Sequence, residues 1–93
     1  SITIEADKKD VQMNLMNPEG NPCYFTFEIV LNDTDETIYT SKMVEPGKAI
    51  TEVTLEKALP AGEYPATIKI TTASLTDGSA MNGANVETTI IAQ

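Results

Sequence analysis

The sequence contains no histidine and no tryptophan, and it has a single cysteine. Without histidine, the common imidazole routes to metal binding and to acid–base catalysis are excluded. One thiol cannot form an internal disulfide, nor can it build a thiolate metal site by itself. Because no histidine is available as the base that a catalytic thiol needs, we expect Cys23 to be a small buried apolar residue. We therefore expect neither an enzyme nor a cofactor.

Positive charge is also scarce. Six basic residues stand against fourteen acidic ones, which gives a net charge of −8. Binding to nucleic acid and adhesion to anionic lipid both depend on Lys and Arg, so both are disfavoured. The charge is compatible with a cation or a basic protein as partner. No apolar run approaches the ~20 residues of a membrane-spanning helix, so we expect no direct membrane insertion by this domain.

The length of 93 residues and an apolar content of 41% fit one small domain with an ordinary core. The first residues already alternate in the manner of a strand, and no signal peptide is recognisable among them. We therefore expect residues 1–93 to form one domain, excised from a longer surface or secreted protein, whose leader and anchor lie elsewhere.

Apolar and polar residues alternate with period two along the chain, and no stretch keeps a helical period for three turns. The pattern predicts seven short strands, near residues 2–6, 11–16, 23–31, 37–43, 50–56, 66–72 and 86–91. Residues 75–84 are predicted to be a long loop. Seven such strands predict an all-β fold, a two-sheet antiparallel sandwich of the immunoglobulin-like (fibronectin-type) kind. A closed barrel is the alternative.

Three of these predictions concern particular positions. The third strand carries Phe25 and Phe27 and is predicted at the centre of the core. The fourth strand is mixed and polar, which is typical of a sheet edge. Between the fourth and fifth strands, Pro46 followed by Gly47 predicts a type II turn.

Residues 59–64 predict a corner where the chain passes from one sheet to the other. Leu59 is expected to plug the core, and Pro60 and Gly62 to shape the turn. Tyr64 is expected to fold beneath the corner and donate a hydrogen bond to backbone a few residues upstream. The alternative is an ordinary β-arch with a buried tyrosine, and both interpretations give these residues a structural role.

Residues 17–25, 45–50 and 59–64, followed downstream by residues 82–84, together resemble a known group of domains. Their order and spacing are similar to those of poorly characterised immunoglobulin-like β-sandwich domains in extracellular or membrane-anchored proteins of Gram-positive gut and soil bacteria. The resemblance covers most of the chain. It implies the sandwich fold and a cell-surface location, and it carries no catalytic residue.

Two groups of side chains are candidates for binding. Asp33, Asp35 and Glu36 crowd one loop and could supply oxygen ligands to Ca²⁺, although a solvated acidic turn is the simpler interpretation. Tyr24 and Tyr39 are the candidate aromatic platforms for a sugar, since both phenylalanines are predicted in the core.

We therefore predict a non-catalytic extracellular module that acts as a spacer or binds protein weakly. The alternative is an adhesin-type module that binds a glycan or a host protein through loop-end and edge-strand residues, for example by strand addition. Either way, the domain is expected to be a monomer or a weak oligomer.

Overall fold

The computed structural model describes the backbone of residues 1–93 and the side chains of residues 1–79 and 83–93, so the side chain of Asn82 lies outside the described part. The chain forms seven strands: β1 (Ile2–Ile4), β2 (Asp10–Met16), β3 (Cys23–Leu31), β4 (Glu36–Thr40), β5 (Ala49–Thr54), β6 (Gly62–Ser74) and β7 (Ala80–Ala92). No helix is present among the described residues, so the all-β prediction is confirmed.

The strands form two sheets. Five strands lie in the order β1-β7-β6-β3-β4, and β2 pairs with β5 in a second sheet of two strands. The two-sheet prediction is confirmed, and the sheets are not closed into a barrel. As predicted, β4 lies at a sheet edge.

One pairing departs from the antiparallel prediction. β1 runs parallel to β7, with Ile2 opposite Ile90 and Ile4 opposite Ala92. The sequence pattern gives no direction for this pair, because no tight turn joins the two strands. Their direction follows from the path of the chain, which leaves β1 to enter the other sheet at β2.

Both sheets contribute to one core. β3 lies between β6 and β4, and its alternate residues Phe27, Ile29 and Leu31 are buried against the two-stranded sheet. The opposite wall comes from β2 and β5, and its buried residues are Val11, Met13, Leu15 and Val53. Cys23 is buried and unpaired, as predicted.

The turn before β5 has the predicted geometry. Gly47 has a φ of 82°, a conformation that glycine adopts without steric cost. The N–H of Lys48 donates to the carbonyl of Glu45 at 3.1 Å, which closes the four-residue turn. A positive φ at the second central residue is the feature that a type II turn requires.

Several predicted strand boundaries are wrong: β1 ends at Ile4 and not at residue 6, β5 ends at Thr54 and not at residue 56, and β6 begins at Gly62 and not at residue 66. β4 ends at Thr40 and not at residue 43. At the next position the side-chain oxygen of Ser41, and not a backbone carbonyl, accepts the N–H of Phe27 on β3. Residues 80–84 belong to β7 and not to a loop, so the connection spans only residues 75–79. The Asn-Gly pair at residues 82–83, which is typical of turns, lies here within β7 at the point where the register of β6 and β7 shifts.

The two sheets differ in length. β6 and β7 have 13 residues each, whereas β5 has six and β2 has seven. The second sheet therefore cannot cover the whole β6–β7 hairpin. Val86 shares the inward face of β7 with the fully buried Ile90, yet its exposed fraction is 47%.

Candidate functional site

Asn17 organises one end of the sandwich. Its side chain has an exposed fraction of 0%, and its Nδ2 donates to the carbonyls of Cys23 at 3.0 Å and of Val44 at 2.8 Å. Its Oδ1 accepts a hydrogen bond from Nδ2 of Asn21 at 2.8 Å. The backbone of Asn17 also bonds in both directions with the turn at residues 47–48. This buried amide therefore ties the entry of β3 to the segment that leads into β5.

Large apolar side chains are exposed at the same end. Met16 precedes Asn17 and is 53% exposed, while Met43 precedes Val44 and is 60% exposed. Leu75, 44% exposed, begins the β6–β7 connection, and its N–H bonds to the carbonyl of Pro22 at 3.4 Å. We call Met16, Met43 and Leu75 the apolar loop end. Contiguous exposed apolar surface is typical of contact sites, and each of these three residues adjoins backbone that meets at this end.

The predicted corner lies at the opposite end, where β6 begins. The hydroxyl of Tyr64 donates to the carbonyl of Pro60 at 2.6 Å, four residues upstream. Leu59 is 1% exposed and belongs to the core cluster. The carbonyl of Leu59 accepts the N–H of Asp7 at 2.8 Å, which ties the corner to the loop before β2.

A cavity of about 210 Å³ lies beside this corner. Leu31 and Leu59 line it from the core side, and Tyr64 and Pro65 line it from the start of β6. The rest of its lining comes from the two neighbouring loops and consists of Asp33, Thr34, Lys57, Ala58 and Pro60. The corner residues, predicted to be structural, therefore also form part of a concave surface, which the sequence pattern did not reveal.

The acidic loop is not gathered into a metal centre. Among the described residues, no three Cys, Asp or Glu side chains lie close enough together to hold a metal ion. Glu36 instead accepts a hydrogen bond from Nζ of Lys57 at 2.8 Å. Asp33 lies on the lining of the corner cavity, and Asp35 occupies a turn position with a φ of 55°.

The two candidate sugar platforms do not lie together. Tyr39 is paired with Ile29, shares its face of the sheet and packs against the core. Tyr24 lies on β3 five residues before Ile29, which corresponds to roughly 17 Å and to the opposite face. Burial raises the pKa of Tyr39. The structure therefore gives Tyr24 and Tyr39 no shared surface.

A groove with a volume of about 700 Å³ lies between β1 and β2. Glu5 and Lys8 line it and form an ion pair of 2.7 Å. This hydrogen bond lowers the pKa of Glu5 and raises the pKa of Lys8. Both side chains are more than half exposed, at 68% and 63%, so the pair contributes little to stability.

Two buried polar residues were not predicted. Asn17 precedes a proline in a stretch whose pattern predicts an ordinary loop. Among the sequence observations, only the family resemblance at residues 17–25 includes it, and none predicts its burial. Ser41 accepts the N–H of Phe27 at 2.8 Å and donates to the carbonyl of Lys42 at 2.8 Å. No buried side-chain nitrogen or oxygen in the described residues lacks a partner.

Compared with known proteins, the chain matches no family model, no curated protein and no solved structure at a significant level. The fold itself defines the class: an all-β protein whose two sheets, of five strands and two, pack around one core. Within the described residues, no helix is long and apolar enough to cross a membrane.

Proposed function

We propose that the chain is a non-catalytic, immunoglobulin-like interaction module of an extracellular or cell-surface protein, and that it binds a partner protein through the apolar loop end. The strand order supports the fold assignment, because β7-β6-β3-β4 opposite β2-β5 follows the order G-F-C-C′ opposite B-E of variable-type sandwiches. The hydroxyl bond of Tyr64 at the start of the sixth strand supports it further.

The observation that carries the binding proposal is the exposure of Met16, Met43 and Leu75 around the buried Asn17. Methionine side chains adapt to different surfaces, and apolar exposure of this kind costs solubility unless a partner covers it. The buried amide holds the surrounding loops in place, so little conformational entropy is lost when a partner binds.

A spacer role is the second candidate. The molecule measures 42 × 22 × 20 Å, and an elongated module of this kind separates whatever is attached at its ends. The glycan alternative is less favoured, because Tyr24 and Tyr39 lie on opposite faces of the sheet and cannot form one platform.

Selection from a random peptide library displayed on phage tests the binding role. The target is the immobilised domain, and the comparison is a triple variant with Met16→Gln, Met43→Gln and Leu75→Gln. We expect enriched peptides to share a motif and to lose binding to the triple variant. Val86→Thr, which changes an exposed apolar residue on β7, is the matched control and should retain binding. No shared motif, or equal binding to the triple variant, would contradict the proposal and leave the spacer role.

A further inference from the structure

The corner cavity lies at the other end of the sandwich from the apolar loop end. β3 runs from Cys23 to Leu31, a distance of roughly 26 Å. Its first residue accepts the Asn17 amide, whereas its last residue lines the cavity. A ligand in the cavity would therefore occupy a second surface, independent of the one proposed above.

The walls of the cavity are fixed by hydrogen bonds from separate segments. The carbonyl of Pro60 accepts the Tyr64 hydroxyl at 2.6 Å, and the carbonyl of Pro65 accepts the N–H of Asn32 at 2.9 Å. Leu59 is held in the core. The cavity is thus formed before any ligand arrives, which reduces the entropic cost of binding.

The volume of the cavity limits the class of ligand. About 210 Å³ is smaller than the ~300–1,000 Å³ of sites for small organic molecules. It is several times the ~30 Å³ that a water molecule occupies in the liquid. The cavity therefore has the size of a single large side chain. Its leucines, prolines and tyrosine are the surroundings in which aromatic anchor residues bind at protein interfaces.

The charge around the opening favours a cation beside that side chain. Asp33 lines the cavity, Asp35 follows it in the same loop, and Glu36 is the first residue of β4. Lys57 is the basic residue of the lining, and its ammonium group is already paired with Glu36. The local balance is negative, in keeping with the net charge of −8.

We propose that this cavity is an anchor pocket, which accepts one large aromatic side chain of a partner polypeptide with a Lys or Arg next to it. The aromatic ring would pack between Leu59, Pro65 and Tyr64. The neighbouring cation would lie close to the carboxylate of Asp33, where opposite charge adds specificity and speeds association.

Three indole probes that share the tryptophan side chain and differ in charge test the pocket by NMR titration of the ¹⁵N-labelled protein. At about pH 6, tryptophanamide is a cation, N-acetyltryptophanamide is neutral and N-acetyltryptophan is an anion. We expect saturable shifts in the amide signals of residues 31–34, 57–59 and 64, because Pro60 and Pro65 have no amide proton. We also expect the cation to bind about threefold or more tightly than the anion at low salt, with a smaller difference at high salt. No saturable shifts in these residues would overturn the proposal.

Two variants separate the pocket from non-specific binding. Asp33→Asn should leave the neutral probe unaffected and remove the preference for the cation; a preference that persists would refute the role of Asp33. Ala58→Trp should fill the cavity and abolish binding. Asn85→Trp adds the same ring at an exposed position of β7 and should leave binding unchanged. If Ala58→Trp does not fold, the comparison of Asp33→Asn with the wild type still tests whether the probes bind beside Asp33. Peptides that bind only the apolar loop end would support the first proposal and not this one.

Discussion

The side-chain nitrogen of Asn17 lies 2.8 Å from the carbonyl oxygen of Val44, across 27 positions of the sequence and inside the protein. The same nitrogen bonds to the carbonyl of Cys23. The carbonyl of Val44 also accepts the N–H of Phe25, so the amide adds a second donor to an oxygen that already bonds to β3. The amide group of Asn17 thus joins the start of β3 to the segment around Val44 at this end of the sandwich.

Replacing Asn17 with aspartate should be strongly destabilising. The carboxylate has no N–H to offer the two carbonyls and carries a buried charge, so we expect a loss of about 3 kcal/mol or more in urea unfolding. Burial raises the pKa of such a carboxyl, and the loss should therefore shrink as the pH falls. Asn14→Asp makes the same change at an exposed position of β2 and should be nearly neutral. Equal stability of the two variants would contradict the role of Asn17.

Removing the hydroxyl of Tyr64 tests the corner. Tyr64→Phe loses the bond to the Pro60 carbonyl while keeping the ring, so we expect a loss of about 1 kcal/mol. For a domain of this size, that corresponds to a fall of about 4–8 °C in Tm. Tyr24→Phe is the matched control, because the Tyr24 hydroxyl has no partner in the described part of the chain, and its Tm should stay close to that of the wild type. An unchanged Tm in Tyr64→Phe would mean that the hydrogen bond from Tyr64 to Pro60 contributes nothing to the stability of the domain.

Gly83 should not tolerate a side chain. A Cβ at this position would overlap the carbonyl oxygen of Ile70 on the neighbouring strand. Because that oxygen belongs to backbone, Gly83→Ala must displace β6 or β7, and we expect a loss of about 2 kcal/mol. Asn85→Ala places an alanine two positions later at an exposed site and serves as the control in the same thermal scan. A Gly83→Ala protein as stable as this control would show that the strands lie further apart.

Alkaline pH should act on stability partly through Tyr39. Burial raises its pKa, so the folded protein holds the phenolic proton more firmly than the unfolded chain does. The stability from this group is complete below the unfolded pKa of about 10 and is lost as the pH rises through the higher folded value. We expect the free energy of unfolding to fall less above pH ~10 in Tyr39→Phe than in the wild type. Parallel pH profiles for the two proteins would exclude Tyr39 as a source of the effect.

Alternation along the chain was sufficient to predict seven strands, two sheets and the position of β3 in the core. It works because burial on one face of a strand repeats every second residue. Alternation does not predict the exposure of Val86, because the extent to which β7 is covered depends on the whole fold and not on local pattern. The direction of β1 also escaped prediction, because strand direction depends on the path of the chain and not on local pattern.

The sites were harder to predict than the strands. Asn17 and Ser41 bond to backbone groups 6 to 27 positions away as well as to nearer partners, and nothing in their immediate neighbours marks them as buried. The corner at residues 59–64 was recognisable from its Pro, Gly and Tyr. The cavity beside it was not, since its lining comes from three separate segments that only the fold brings together.

The parallel pairing of Ile2 with Ile90 has a consequence for biosynthesis. β1 leaves the ribosome early, but its partner strand is translated only at the far end of these 93 residues. At ~5–20 residues per second, β1 waits several seconds for β7. Contacts so distant in sequence make folding slow, and the apolar β3 stays uncovered on one side until β6 emerges. The nascent chain is therefore expected to need protection from aggregation until synthesis of this region is complete.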